Sequence, residues 1–167
     1  MQLFPSPKAS NKDALIGAVG AALGMAITWM VCDALLDSVS PILALSMGAS
    51  AVILFTMPHA PAAQPVPLIL AHCVAAFLGV LSAQLIDNTA LAVGIAVGVH
   101  AGLMVRFGYM HPPSGGTALT AVIGGEAVTD LGYSLIWRPV LLNAVLLVLL
   151  AMVINAPFAW RRYPAKS

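Results

Sequence analysis

The sequence predicts an all-α membrane protein of about six transmembrane helices, two inverted three-helix repeats whose second and fifth helices are short or broken. Three observations predict it. Hydrophobic residues make up 60% of the chain and charged residues 8%, with a mean hydropathy of +0.97. A soluble domain of 167 residues would expose large sticky patches at that composition. The apolar residues recur in several blocks, which a single cleaved leader does not explain, and Met1 to Lys12 lack the apolar core of such a leader. Lastly, all twelve prolines are expected in tails, in loops or at block ends, since a proline costs about 3 kcal/mol inside a helix.

The first block, about Ala14 to Leu36, is long enough to cross, and Gly20 and Gly24 form a small-xxx-small pair that lets another helix approach closely. Asp33 and Asp37 mark its far end. Ser40-Pro41 opens a second block, Ile42 to Met57, which is short and carries Ser46, Gly48 and Ser50 near its middle. Pro58 to Pro67 reads as a loop on its proline content. A third block runs from about Pro67 to Ile86 with His72 in its first turns. The fourth, about Leu91 to Phe107, has Gly94, Gly98 and Gly102 at every fourth position, with His100 inside it and Arg106 at its end. His111 to Gly125 is the fifth. A polar connection, Glu126 to Ser134, leads to the sixth, about Pro139 to Phe158. The pattern expects a cytoplasmic tail at 1–13, one transmembrane domain at 14–158 with repeats at about 14–86 and 90–158, and a basic cytoplasmic tail at 159–167.

Charge placement supports six passes. With the N-terminus inside, the inner face holds Lys8, Lys12, Arg106, Arg161, Arg162 and Lys166, six of the seven basic residues, and Arg138 is the exception. Asp33, Asp37, Asp87, Glu126 and Asp130 fall outside. A re-entrant fifth segment would make five passes and move the tail outside. Cys32 and Cys73 sit in apolar blocks and read as small packing residues. The four histidines show no ligand spacing, so no metal, cofactor or nucleic-acid partner is expected.

The fifth segment carries the functional reading. Two prolines at a helix start, then Ser114, Gly115, Gly116 and Thr117, leave backbone N–H groups uncluttered by side chains. Such a short helix in a membrane protein presents its positive dipole end to an anion; the same small residues would equally suit a close helix crossing. Ser46, Gly48 and Ser50 would supply the opposing wall, or a second close crossing. His111 is a candidate ligand, although a structural bond to a neighbouring backbone fits it as well. His72, His100 and Arg106 are candidate pathway residues, with a carbonyl-bonded neutral imidazole or a snorkelling anchor as their plain readings. No carboxylate falls near a span centre, which disfavours a cation pathway. No nucleophile–base set or acid pair appears in the spans, so an enzyme is not expected.

His111-Pro112-Pro113 followed by Ser-Gly-Gly-Thr-Ala-Leu-Thr-Ala-Val resembles the signature of the HPP family of integral membrane proteins. The resemblance extends to Met47 through Phe55, to Pro58, to Ala63-Gln64-Pro65 and to His72, together covering roughly Pro41 to Gly125. Plant plastid members are described as nitrite transporters. The resemblance therefore implies a small-anion transporter or channel, for nitrite, in a bacterial plasma membrane with both termini cytoplasmic. Some members carry an extra soluble regulatory domain, which a chain of this length is expected to lack. A thin bundle also suggests a homo-oligomer, and the glycine faces on segments one and four would serve either internal or intersubunit packing. The competing reading is a non-transporting scaffold or sensor subunit that packs through those faces.

Overall fold

The computed structural model describes residues 10–36 and 40–165, with the side chains of 36 and 40–45 left out. Lys8, Asp37 and Lys166, which enter the charge count above, lie outside the described residues. The described chain is helical throughout: α1 (Asn11–Leu36), α2 (Ser40–Thr56), α3 (Pro65–Leu85), α4 (Thr89–Phe107), α5 (Gly115–Ile123), α6 (Glu126–Thr129) and α7 (Leu142–Asn155). Local chemistry accounts for the ends. Ser10 Oγ accepts from the Asp13 amide at 3.1 Å to start α1, and Asn88 Oδ1 accepts from the Leu91 amide at 3.0 Å to start α4. Gly108, at φ 75°, stops α4 in the left-handed conformation that glycine tolerates.

Four helical stretches, Asn11–Leu35, Pro65–Leu85, Thr89–Phe107 and Ile136–Asn155, are long and apolar enough to cross a membrane. This is an all-helical integral membrane protein. Helix α2 has 17 residues and α5 only nine, roughly 13 Å for the latter, well short of a hydrocarbon core of about 30 Å. Large apolar side chains face outward, among them Met30, Val105, Trp137 and Val153. Polar ones, including three histidines, two asparagines and an arginine, are buried. In lipid that polarity is expected, because the surroundings offer no water to bond.

One sequence expectation fails at Pro139, which stands inside the helical stretch rather than at a block end. Residues Ile136–Leu141 form a wide π-type turn that leads into α7, and the wider turn accommodates a residue with no N–H to give. Pro65 and Pro67 likewise sit in the first turn of α3, where the N–H has no helical partner anyway.

The N-terminal end of α1 and the segment after α7 meet at one end of the bundle. Arg161, 4% exposed, donates from Nη1 to Asp13 Oδ1 at 3.0 Å, from Nε to Asn155 Oδ1 at 3.1 Å, and from Nη2 to the Phe55 carbonyl. Trp160 Nε1 donates to the same Asp13 oxygen at 3.0 Å. Arg161 of the basic tail thus clamps α1, α2 and α7 together. Tyr163 is buried as well and donates to the Ala63 carbonyl at 2.8 Å; burial pushes its phenol up, so the hydroxyl keeps its proton.

Glycines permit close approach at two crossings. The Phe55 ring of α2 lies on Gly20 and Gly24 of α1, where an added Cβ at Gly20 would stand 2.6 Å from the ring. A Cβ at Gly79 of α3 would meet the Ala118 carbonyl of α5 at 2.7 Å and the Ala121 Cβ at 2.5 Å. Backbone cannot yield there as a side-chain tip can. Gly79→Val is expected to lower stability by about 1–3 kcal/mol by pushing α5 off α3. Thermal unfolding in detergent checks it, and an unchanged melting temperature would contradict this packing.

Candidate functional site

The site forms where α2, α3, α4 and the start of α5 meet. His72 lies seven positions after Pro65 at the start of α3, Ser50 six positions before Thr56 at the end of α2, and His100 seven positions before Phe107 at the end of α4. At about 1.5 Å per residue, all three stand roughly 10 Å in from the same end of the bundle. The chain after Gly108 dips to that level before turning into helix at Pro112. His72, His100, His111, Ser50, Ser114 and Thr117 are all fully buried there.

They bond to one another. Ser50 Oγ lies 2.8 Å from His72 Nε2 and 2.8 Å from His111 Nε2. His72 Nδ1 lies 2.7 Å from Thr117 Oγ1, and His111 Nδ1 lies 2.6 Å from the Ala62 carbonyl. The rings of His72 and His111 are 5.1 Å apart between centroids. A second group adjoins the first: His100 Nε2 stands 2.6 Å from Ser114 Oγ, which also donates to the His111 carbonyl at 2.6 Å and toward Met104 Sδ at 3.7 Å.

The donor and acceptor inventory gives the first group one direction. A carbonyl only accepts, so His111 Nδ1 carries the hydrogen toward Ala62. With one hydrogen on the ring, His111 Nε2 then accepts, and Ser50 must donate to it. Ser50 in turn accepts from His72 Nε2–H, leaving His72 Nδ1 to accept from the Thr117 hydroxyl. Every member is satisfied with each ring neutral.

Ala62 is held in place by its loop. Gln64 Nε2 donates to the Pro58 and Ala60 carbonyls, each at 3.0 Å, while Gln64 Oε1 accepts from the Ala165 amide at 2.9 Å. The short turn Pro61–Ala63 presents the carbonyl to His111. Sequence reasoning missed Ala62, Asn155 and Asp13 as partners. A backbone carbonyl leaves no trace in residue type, although the dense prolines of the loop do signal a rigid backbone.

The structure also corrects the expected helix start. Pro112–Ser114 wind as a tight turn before α5. Pro112 and Pro113 have no N–H, the Ser114 amide donates to the His111 carbonyl at 3.1 Å, and the Gly115 amide donates to the Pro112 and Pro113 carbonyls. No bare row of amides remains in that turn, and Ser114 and Thr117 are buried rather than exposed. The polar groups this region offers are side-chain hydroxyls and imidazoles.

The other expected residues divide. Ser46 is buried, and its Cβ lies 3.8 Å from where a Cβ on Gly116 would sit, so α2 does face the start of α5. Gly115 and Gly116 are half-buried. Gly48 has nothing packed against it within 4 Å. Arg106 is exposed and lies over the Phe107 ring, 5.7 Å from its centroid, apart from the cluster. His59 joins Asp13, Thr56, Trp160 and Arg161 around a surface cavity of about 320 Å³ at the clamped end. Among the described residues no group of three or more His, Cys, Asp or Glu side chains could hold a metal ion.

A family profile described as "HPP, transmembrane region" matches residues 6–164. Two transmembrane proteins of Dictyostelium discoideum are similar: one is 38% identical over 133 residues, covering 77% of this chain and 46% of the relative, and the other is 36% identical over 128 residues, covering 71% and 39%. The chain thus spans less than half the length of these curated relatives. No solved structure matches it.

Ser50 bridges two imidazoles, so Ser50→Ala strands a donor on His72 and an acceptor on His111. At about 1–3 kcal/mol for each buried unsatisfied group, the expected loss is roughly 2–6 kcal/mol. Arg106→Gln, at the surface, should fall within about 0.5 kcal/mol of the parent. Denaturant unfolding in micelles compares the two, and equal effects would argue against the bridge.

Proposed function

This chain belongs to the HPP transmembrane family, and from that premise we propose that it is a small-anion transporter or channel, with nitrite as the anion, whose path runs between α2 and α5. Membership associates the chain with membrane transport and not with catalysis. One observation carries the anion reading. Six hydroxyl and imidazole side chains are buried together at the meeting of the two short helices, and α2, α3, α4 and α5 contain no Asp or Glu at all. A cation would find no counter-charge there; an anion finds N–H and O–H groups that can turn to it.

In this reading Ser114, Thr117, Ser50 and His111 are the ligand groups. Ser46 forms the facing wall, at ordinary contact distance from where a Cβ on Gly116 would sit, and Gly48 and Gly115 border open space. His72 and His100 stand behind them, and Arg106 draws anions toward the mouth. The chain makes six passes as two inverted repeats, α1 to α3 and α4 to α7, in a bacterial plasma membrane with both termini cytoplasmic. Support for the repeat is that α2 and α5, at matching places, are the short members and face each other at Ser46 and Gly116.

Helix α4 supports self-association. A Cβ at Gly94, Gly98 or Gly102 would meet nothing within 4 Å, so this face is open in one copy of the chain, and small-xxx-small faces let membrane helices approach. The same face suits the competing scaffold reading. Gly98→Ile is expected to shift the detergent-solubilised protein to a smaller oligomer by light scattering; an unchanged mass would move the interface elsewhere.

Flux into proteoliposomes with nitrite, nitrate, formate, chloride and bicarbonate in parallel tests the function. Nitrite flux above protein-free vesicles is expected, and at least a tenfold loss in Gly116→Leu, whose side chain would enter the gap facing Ser46. Absence of flux for every anion would leave the scaffold reading. Undiminished flux in the variant would remove this path.

A further inference from the structure

His100 differs from the other two buried histidines in one respect. His72 and His111 use both ring nitrogens, but His100 Nδ1 is a fully buried side-chain nitrogen with no hydrogen-bond partner. Its state follows from the bonds around it. Ser114 gives its hydroxyl hydrogen to the His111 carbonyl, at 2.6 Å, so the 2.6 Å contact to His100 Nε2 is donated by the ring. Nε2 then holds the hydrogen of a neutral imidazole, and Nδ1 is a bare lone pair. Around the cluster, His100 Nδ1 is the one imidazole nitrogen that can take a proton without breaking an existing bond.

The surroundings make that matter. Tyr109 faces His100 with ring centroids 6.5 Å apart, and His72 and His111 are the titratable neighbours from α3 and the α5 start. Helices α2, α3 and α5 carry no charged residue, and α4 carries only the exposed Arg106. A lone anion reaching Ser114 would therefore enter a low-dielectric site with no fixed positive charge, which burial penalises heavily. A neutral pair would not be so penalised.

Resting on the transport reading above, we infer that His100 Nδ1 takes a proton together with each anion, so that the site moves the anions of weak monobasic acids by electroneutral one-to-one symport. The acid HX reaches the site; its O–H bond breaks as the Nδ1–H bond forms, leaving X⁻ beside an imidazolium whose Nε2–H still holds Ser114. On release the Nδ1–H bond breaks and the proton leaves with X⁻. His72, Ser50 and His111 do not exchange the proton. Their bonds to one another and to the Ala62 carbonyl also fix the backbone that carries Ser114.

The experiment uses the full chain in proteoliposomes loaded with a pH dye, the membrane potential clamped by potassium and valinomycin, and protein-free vesicles subtracted. Nitrite and formate should each acidify the lumen by one proton per anion taken up, at a rate indifferent to the clamped potential. Flux should rise as the outside is made more acidic. His100→Gln keeps a donor for Ser114 but has no titrating nitrogen, so it should lose at least tenfold in flux while eluting and melting like the parent. Flux that follows the potential with no acidification would overturn the proton coupling and leave the transport reading standing. Absence of flux in the parent would remove both. A fully active His100→Gln with intact coupling would place the proton on another group.

Discussion

A hydroxyl or an imidazole enclosed by apolar helices has only another protein group to bond to. In water a missing partner is replaced at little expense; in a bundle wrapped by hydrocarbon it is not. Six side chains from α2, α3, α4 and the start of α5 answer that constraint collectively, through contacts of 2.6–2.8 Å. The arrangement is cooperative by necessity, since removing one hydroxyl strands its neighbours. Much of the rest of the bundle is apolar side chains such as Met47, Leu54, Phe55, Leu68 and Leu147 packed on one another, a non-directional attraction. The polar cluster adds directed contacts.

The same cluster explains why the chain is punctuated as it is. His111 needs an acceptor, and the acceptor is a carbonyl in a loop whose prolines and Gln64 leave its backbone little freedom. That loop is tied in turn to the C-terminal segment through Tyr163 and the Ala165 amide. Arg161, buried in contact with Asp13, Asn155 and the Phe55 carbonyl, fastens the ends of α1, α2 and α7 at the same end of the molecule. A continuous set of polar contacts therefore runs from the bundle end to the level of the three histidines.

The proposed anion site, built from imidazole and hydroxyl groups, would differ in kind from one built on a helix dipole. Amides at a helix start are fixed donors whose strength does not depend on pH. Imidazoles and hydroxyls can donate or accept, so they suit a guest whose charge changes during passage. The lack of any carboxylate within helices α2, α3, α4 and α5 fits that use, because a nearby negative charge would compete with the guest for the same hydrogens.

Composition and proline placement were enough to read the helices. The block ends fall within a few residues of the helices observed, and the shortness of the fifth segment was legible from its glycines and prolines. Membrane helices are legible this way because each must be apolar along its own length, a property local in sequence. Pro139 escaped that logic, since a wide turn absorbed it inside a helix. The histidines were visible as unusual residues, but their pairing was not. His72, His100 and His111 lie on three separate elements, and nothing in their spacing says that one serine joins two of them. The uncluttered helix start was a sound local inference that the tertiary structure modified: a tight turn uses the amides of Ser114 and Gly115, and the neighbouring helices bring side-chain hydroxyls and imidazoles to the same place. What the sequence alone determined is what depends on each segment's own solvent, apolar lipid against backbone. Which polar groups satisfy one another depended on bringing four elements to a common depth, and only the folded chain does that.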